Sequence, residues 1–297
     1  MNGLLVIDKP GGMTSHDVVN RLRKIAGVRS IGHLGTLDPM ATGVLPLLMG
    51  KYTRLAQYFS AAEKSYSGSI RLGFATDTYD ADGEPAGCDR WPEVAQAITS
   101  ETVRAAAARF HGEMEQMPPQ YSAKKIAGQP AYKLARQGKA VELKPAKIRI
   151  DAFAVTTLEG PVATFTIDIS AGGYVRAVAH ELGEELGCGG HLSELRRTRA
   201  GAFTLDDAHT LEELESLAAD SGALDRVCVH PRMLLPEMPS VTADSVALGR
   251  LRNGAQANLP EFSTAPLVKV FAGARDLAGV AKRIAGTLFQ PVVVLSQ

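Results

Sequence analysis

The chain reads as an α+β protein: a mainly antiparallel, mixed sheet flanked by helices, with a small β-rich unit at its C-terminal end. Three observations predict this. Strand-like segments outnumber helix-periodic ones and interleave with them without a regular βαβ rhythm. No internal repeat recurs at a fixed period. Pro231, Pro236 and Pro239 punctuate the chain before a final stretch that closes in PVVVL. At 297 residues the length suits one large domain or two ordinary ones. Boundaries at 1–235 and 241–297 are therefore expected, with residues 231–239 as a linker.

The elements follow in order. LLVID is a short apolar run that Lys9-Pro10-Gly11-Gly12 stops, so a strand and a turn are expected. Ser15 then suits an N-cap, Val18, Val19, Leu22, Ile25 and Ala26 form a helical stripe, and Gly27 sits where a C-terminal cap belongs. Residues 28–50 read as a glycine-rich loop with a short apolar piece from Val44 to Met49. From Ser65 to Gly73 the pattern alternates, with Tyr66, Gly68, Ile70 and Leu72 on one side, as in a half-buried strand. Residues 76–90 read as an exposed acidic loop and 93–110 as a helix. Strands over 147–156 and 162–170 precede Gly172-Gly173 and a helix over 175–187.

Composition narrows the function. The hydrophobic fraction is 45%, and Lys+Arg 32 balances Asp+Glu 32. A globally basic nucleic-acid binder is excluded, whereas local basic patches are not, since a partner feels charges within about 8–10 Å. Cys88, Cys188 and Cys228 form no CxxC pair, so neither a disulfide framework nor a zinc ribbon is written here. No apolar run approaches the ~18 residues of a membrane helix. The run Leu4–Ile7 meets Asp8 and Lys9 too soon for a signal peptide, so a cytoplasmic chain is expected.

Several motifs fail. Between Gly43 and Gly50-Lys51 lie six residues rather than four, and Tyr52 follows, so this is no phosphate-binding loop. No GxGxxG follows a strand and no G-x-S-x-G elbow occurs. His180, Cys188 and His191 match no standard zinc spacing, and no metal is expected.

Two segments stand out. In GHLGTLDPMATGVLPL (Gly32–Leu47), Pro39 drives Asp38 into an extended pose. Gly35 and Gly43 let the backbone turn tightly or approach a ligand closely. One carboxylate is thereby fixed on an otherwise apolar loop, as an attacking or proton-handling group requires; an ordinary Asp-Pro turn would look the same. In GGYVRAVAHELGEELGCGGH (Gly172–His191), Tyr174 and Arg176 leave a Gly-Gly turn two residues apart. On extended backbone both point one way, and Arg176 could fork onto a carboxylate such as Asp38 and hold it ionised; a surface arginine and a core tyrosine remain the alternative. Residues 124–149 are strongly basic, with eight Lys and Arg opposed only by Glu142, and Tyr121 and Tyr132 nearby. Arg196, Arg197 and Arg199 form a second basic cluster.

Taken together, LLVIDKPGGMTSHDVV, GHLGTLDPMATG, KSYSGSIRLGFATDTYDADG, YSAKKIAGQPAYKLARQGK, GGYVRAVAHELGEELGCGGH and LRRTRAG resemble the TruB family of tRNA pseudouridine-55 synthases. The resemblance runs to about residue 205, two-thirds of the chain. It implies isomerisation of a T-loop uridine to pseudouridine with no cofactor and no metal. Asp38 matches the catalytic aspartate, whether it attacks C6 of the base, attacks C1′ of the ribose, or acts through a glycal. Arg176 matches the arginine paired with it, Tyr66 the tyrosine stacked on the target base, and Tyr174 and Leu195 the uracil pocket. His33 matches the residue that fills the RNA loop as the base leaves, which suits an exposed tip. Lys9 aligns with a supporting lysine near the site. The stretch at about 121–149 resembles an RNA-clasping insertion, where cations meet phosphates and tyrosines stack on bases. The C-terminal residues resemble a PUA-like RNA-binding domain only weakly. The expected partner is the T-arm of transfer RNA, with no membrane, no obligatory protein partner and a monomeric chain. An RNA-folding factor with a vestigial site and a guide-RNA-dependent synthase are the competing readings.

Overall fold

The computed structural model describes residues 1–121, 125–126, 129–130, 144–220 and 222–295. Strand β1 (Gly3–Lys9) leads through the helix Ser15–Ala26 to β2 (Ile31–His33), β3 (Thr42–Met49) and β4 (Lys64–Leu72). A small ladder pairs β5 (Ala75–Thr76) with β6 (Pro85–Ala86), and β7 (Gly112–Gln116) follows the helices Trp91–Val94 and Ser100–Ala107. After the short pair β8 (Lys125–Ile126) and β9 (Gln129–Pro130) come β10 (Ala146–Glu159), β11 (Val162–Ile169) and the helix Val175–Glu185. Strands β12 (Gly190–Ala200), β13 (Phe203–Thr204) and β14 (Ala208–His209) complete one ten-stranded sheet. Its order is β14-β1-β3-β12-β4-β11-β10-β7, with β2 on β3 and β13 on β12. Only β1/β14 and β3/β12 are parallel in it.

A second, five-stranded sheet holds β15 (Ser240–Thr242), β16 (Ala257–Asn258), β17 (Leu267–Phe271), β18 (Leu277–Ala285) and β19 (Leu288–Val294). The α+β class and the small C-terminal β unit are thus as expected. The two sheets share a core through β1 and β3. Leu5, Ile7, Leu45 and Leu47 face the helices, while Leu4, Val6, Val44 and Leu48 pack with Phe271, Val280 and Val293 of the second sheet. Burial on both faces explains why these strands read as continuous apolar runs rather than alternating ones.

Several elements differ from expectation. The first helix is capped by Thr14, not Ser15: Thr14 and Asp17 form a reciprocal capping box, and Gly27 closes the helix at φ 64°. The 28–50 loop contains β2 and β3; glycines and Pro46 masked a strand that is covered on both sides. The helix expected over 93–110 is broken into Trp91–Val94 and Ser100–Ala107, the second started by a Thr99 capping box. The basic cluster of LRRTRAG, to which the sequence assigns no element, lies at the end of β12, which two bulges bend past β4. The proline-rich linker is not free chain either: Leu234, Leu235 and Met238 are buried in the core between the sheets.

Phe271 is fully buried in that shared core. Phe271→Ala should cost about 3–5 kcal/mol, read from urea unfolding. One cooperative transition shifted to lower urea is expected, whereas a separate early transition confined to the C-terminal sheet would contradict a shared core.

Candidate active site

Asp38 lies in the connection between β2 and β3, a loop pinned at several points. The Leu37 N–H donates to Ser15 Oγ at 2.8 Å, and that hydroxyl donates back to the Leu37 carbonyl at 3.1 Å. Ser15, freed from capping, thus anchors the loop. Lys9 is completely buried and donates from Nζ to the carbonyls of Pro39 at 3.1 Å, Ala41 at 2.6 Å and Pro10 at 2.9 Å. Burial lowers its pKa to about 8, with the nearby Asp38 charge opposing that shift. Gly43, at φ 99°, packs so closely on the Arg197 backbone that any Cβ would overlap it.

Arg176 occupies the first turn of the helix Val175–Glu185, and Tyr174 is its extended N-cap. The predicted pairing is present: Nη2 donates to Asp38 Oδ1 at 3.1 Å, and Nε stands 3.0 Å from Oδ2 with its N–H off axis. Nη1 donates to the Thr78 carbonyl at 3.1 Å and lies 3.3 Å from Asp80 Oδ2, while Nη2 also donates to the Tyr121 carbonyl at 2.9 Å. The guanidinium is almost sealed, with 6% of its side chain exposed, whereas Asp38 keeps 33% at the cavity mouth. Asp80, expected in an exposed acidic loop, is instead buried. Its carboxylate accepts from Thr78 Oγ1 at 2.5 Å and from the Asp82 N–H at 3.2 Å. Nothing in its local sequence distinguishes it from its exposed acidic neighbours.

A cavity of about 470 Å³ opens over Asp38, walled by Lys64, Tyr66, Tyr174, Arg176 and Leu195 among others. Asp38, Arg176, Tyr66, Tyr174 and Leu195 are therefore brought together. His33 is not among the walls; it ends β2, half-buried and paired with Leu47, rather than standing on an exposed tip. Burial and the Arg197 charge lower its pKa. Gln116, fully buried, clamps the Tyr174 backbone from both sides: its Nε2 donates to the Tyr174 carbonyl at 3.0 Å and its Oε1 accepts the Tyr174 N–H at 2.8 Å.

The Arg196, Arg197, Arg199 cluster is not a free phosphate patch. Arg196 forks onto Asp8 at 2.8 and 3.0 Å, and Arg199 Nε donates to Ser65 Oγ at 3.0 Å. Arg197 is fully buried, with Nε donating to the Val44 carbonyl at 2.7 Å and Nη2 to Gly35 at 3.1 Å. Burial pushes the Tyr66 hydroxyl pKa up, while the Arg197 charge and hydrogen bond draw it down and the Asp38 charge adds to the rise. Of the 124–149 stretch, Lys124, Lys133, Arg136, Lys139 and Tyr132 lie outside the described residues, as does the Lys125 side chain. Lys147 and Arg149 lie on β10, and Arg149 pairs with Glu63 and Asp151. The histidines and cysteine weighed as metal ligands go separate ways: His180 stacks on Tyr79, Cys188 Sγ donates to Gly189, and His191 Nδ1 meets the Phe74 carbonyl.

Burial raises the Asp38 pKa, Arg176 opposes the rise, and Asp80 and Asp82 add to it. A carboxylate raised in the folded state destabilises the fold above its folded pKa and is neutral to stability below the unfolded one. Asp38→Asn should therefore raise the Tm at pH 7, and the gain should vanish as pH falls toward 3.8, the ordinary value. A variant less stable than wild type at pH 7 would contradict a net cost for this carboxylate.

The sequence and the fold have clear counterparts. A model of the TruB family pseudouridylate synthase N-terminal domain matches residues 23–175, and one of the tRNA pseudouridylate synthase B C-terminal domain matches 176–235. The chain is 45% identical to tRNA pseudouridine synthase B of Solibacter usitatus over 99% of this chain and 100% of that protein. It is 49% identical to the protein of the same name from Mycolicibacterium paratuberculosis over 76% of this chain and 78% of that one. Among solved structures, a chain of an H/ACA RNP bound to a substrate RNA containing 2′-deoxyuridine shares the fold, with TM-score 0.71, 23% identity, and coverage of 99% of this chain and 85% of that one. The matched models, together with identity across the full length of a relative, place this chain in the TruB family of pseudouridylate synthases.

Proposed function

We propose that this chain isomerises uridine 55 in the T-loop of transfer RNA to pseudouridine, as a stand-alone cytoplasmic monomer that uses no cofactor. The observation that carries the reading is Asp38 at the mouth of a cavity walled by Tyr66, Tyr174 and Leu195, with its carboxylate held by Arg176. The names of the relatives, tRNA pseudouridine synthase B, support transfer RNA as substrate.

In this reaction the N1–C1′ bond breaks, the uracil turns, and a C5–C1′ bond forms. The C5 hydrogen leaves as a proton and N1 gains one, so no redox partner is needed. Addition to C6, attack on C1′ and elimination through a glycal all require an ionised carboxylate within reach of the nucleoside. Arg176 supplies that charge state against the burial that favours the neutral acid. Tyr66 is assigned to stack on the base and to assist removal of the C5 proton. Tyr174 and Leu195 flank the uracil. The target must first leave its stack, at a cost of a few kcal/mol. His33, beside the Leu34–Gly35 turn into the Asp38 loop, is assigned to fill the space it vacates. Residues 1–235 are assigned to catalysis, 241–297 to a small PUA-like RNA-binding domain, and the basic stretch at about 121–149 to phosphate contact on charge grounds.

The test is tritium release from a T-arm RNA labelled at uridine C5, because forming the new bond must expel that hydrogen. Wild type should release it and Asp38→Asn should not, with RNA affinity changed by no more than about threefold, since one neutral atom replaces a charged one away from the phosphates. Release by Asp38→Asn would remove Asp38 from its role. Tight binding without release by either protein would favour an RNA-folding factor.

A further inference from the structure

Arg176 is held on its far side from Asp38 by a single turn, through the Thr78 carbonyl and the Asp80 carboxylate. The residue between them is Tyr79. Its backbone stands at φ 65°, one of two non-glycine residues with positive φ among those described. A bulky aromatic residue persists there only where its surroundings hold it.

The holding contact is a ring stack. Tyr79 lies on His180 with ring centroids 3.9 Å apart and planes 6° from parallel. His180 follows Arg176 by four residues on the helix Val175–Glu185, so both project from the same face. The helix thus grips the turn twice, by a guanidinium on Thr78 and Asp80 and by a ring on Tyr79. The turn is also fastened from its other side: the Thr76 hydroxyl donates to the Asp80 carbonyl at 2.7 Å, and the Leu192 N–H donates to the Tyr79 carbonyl at 3.0 Å. His180 Nδ1 is buried without a hydrogen-bond partner, so this nitrogen does not tie the ring to the turn and the flat face does. Burial lowers its pKa, with Glu184 opposing, which favours the neutral ring.

We infer that the Tyr79–His180 stack is a positioning device for Arg176: it fixes the turn that presents Thr78 and Asp80, and through Arg176 it sets the pose of Asp38. The inference rests on the proposed isomerase reading, in which that pose governs the chemical step. A stacked ring can be replaced by another flat ring, whereas an open side chain leaves the turn free to slide.

The experiment compares His180→Ala, His180→Phe, Tyr79→Gly and Tyr79→Phe with wild type. Tyr79→Gly removes the ring while suiting the positive φ, so the fold is expected to persist. Single-turnover tritium release at saturating RNA should fall about tenfold to a hundredfold in His180→Ala and Tyr79→Gly, because small misplacements of reacting groups cost that much. RNA affinity and Tm should stay near wild type, and both Phe variants should keep the wild-type rate. The Arg176 Nε–H proton should exchange faster with solvent in the two open variants, a readout independent of activity. Wild-type rates and exchange in Tyr79→Gly and His180→Ala would overturn the inference. So would Phe variants as slow as the open ones. If wild type itself releases no tritium, the functional reading falls, and unchanged Nε–H exchange would still overturn the positioning role.

Discussion

A guanidinium withdrawn from water must have its charge and its donors answered, and in this molecule everything around the site is arranged to answer Arg176. Two carboxylates and two backbone carbonyls converge on it from the Asp38 loop, the Thr78–Asp80 turn and Tyr121. Removing Arg176 from this set should cost about 3–5 kcal/mol, because Asp38 and Asp80 would then face each other without their cation. The arrangement therefore couples three distant segments of chain to the first turn of one helix. It also creates a useful tension. Burial and Asp80 press Asp38 toward the neutral acid, and Arg176 presses it toward the carboxylate. The proposed chemistry needs this carboxylate ionised, which burial opposes and Arg176 favours.

Such tension needs a stiff frame. The Asp38 loop is fixed by Lys9 and Ser15, and Lys9 lies at the end of β1, a strand buried on both faces. The second sheet covers the outer face of β1 and β3, so the C-terminal unit supports the strand that supports the loop. Between the linker prolines, Leu234, Leu235 and Met238 take part in this core, so the segment does not separate two free bodies.

Much of this was legible in the residues. Alternation in 65–73 and the helical stripe of 15–26 are local patterns, and both elements formed where expected. Asp38, Tyr174 and Arg176 were singled out by their local sequence and Tyr66 and Leu195 through motif resemblance, and they meet at one cavity. What escaped depends on distant contact. Asp80 looks like its exposed neighbours until the helix Val175–Glu185 brings a guanidinium to it. Ser15 looks like a cap until the Asp38 loop claims its hydroxyl and Thr14 takes its place. The burial of Arg197 within its basic cluster escaped because the guanidinium bonds to the carbonyls of Val44 and Gly35, which leave no mark in sequence. His33 was placed on an exposed tip because glycines around it hid the strand β2.

At the centre stands Arg176 keeping the raised, partly exposed Asp38 carboxylate ionised. Direct titration of Asp38 by carboxyl-carbon NMR, in wild type and in Arg176→Ala, tests it most closely. The account predicts a wild-type midpoint above the ordinary 3.8 with the group ionised at neutral pH, and a further upward shift in the variant. A midpoint at or below the ordinary value in wild type, or one that does not move when Arg176 is removed, would contradict it.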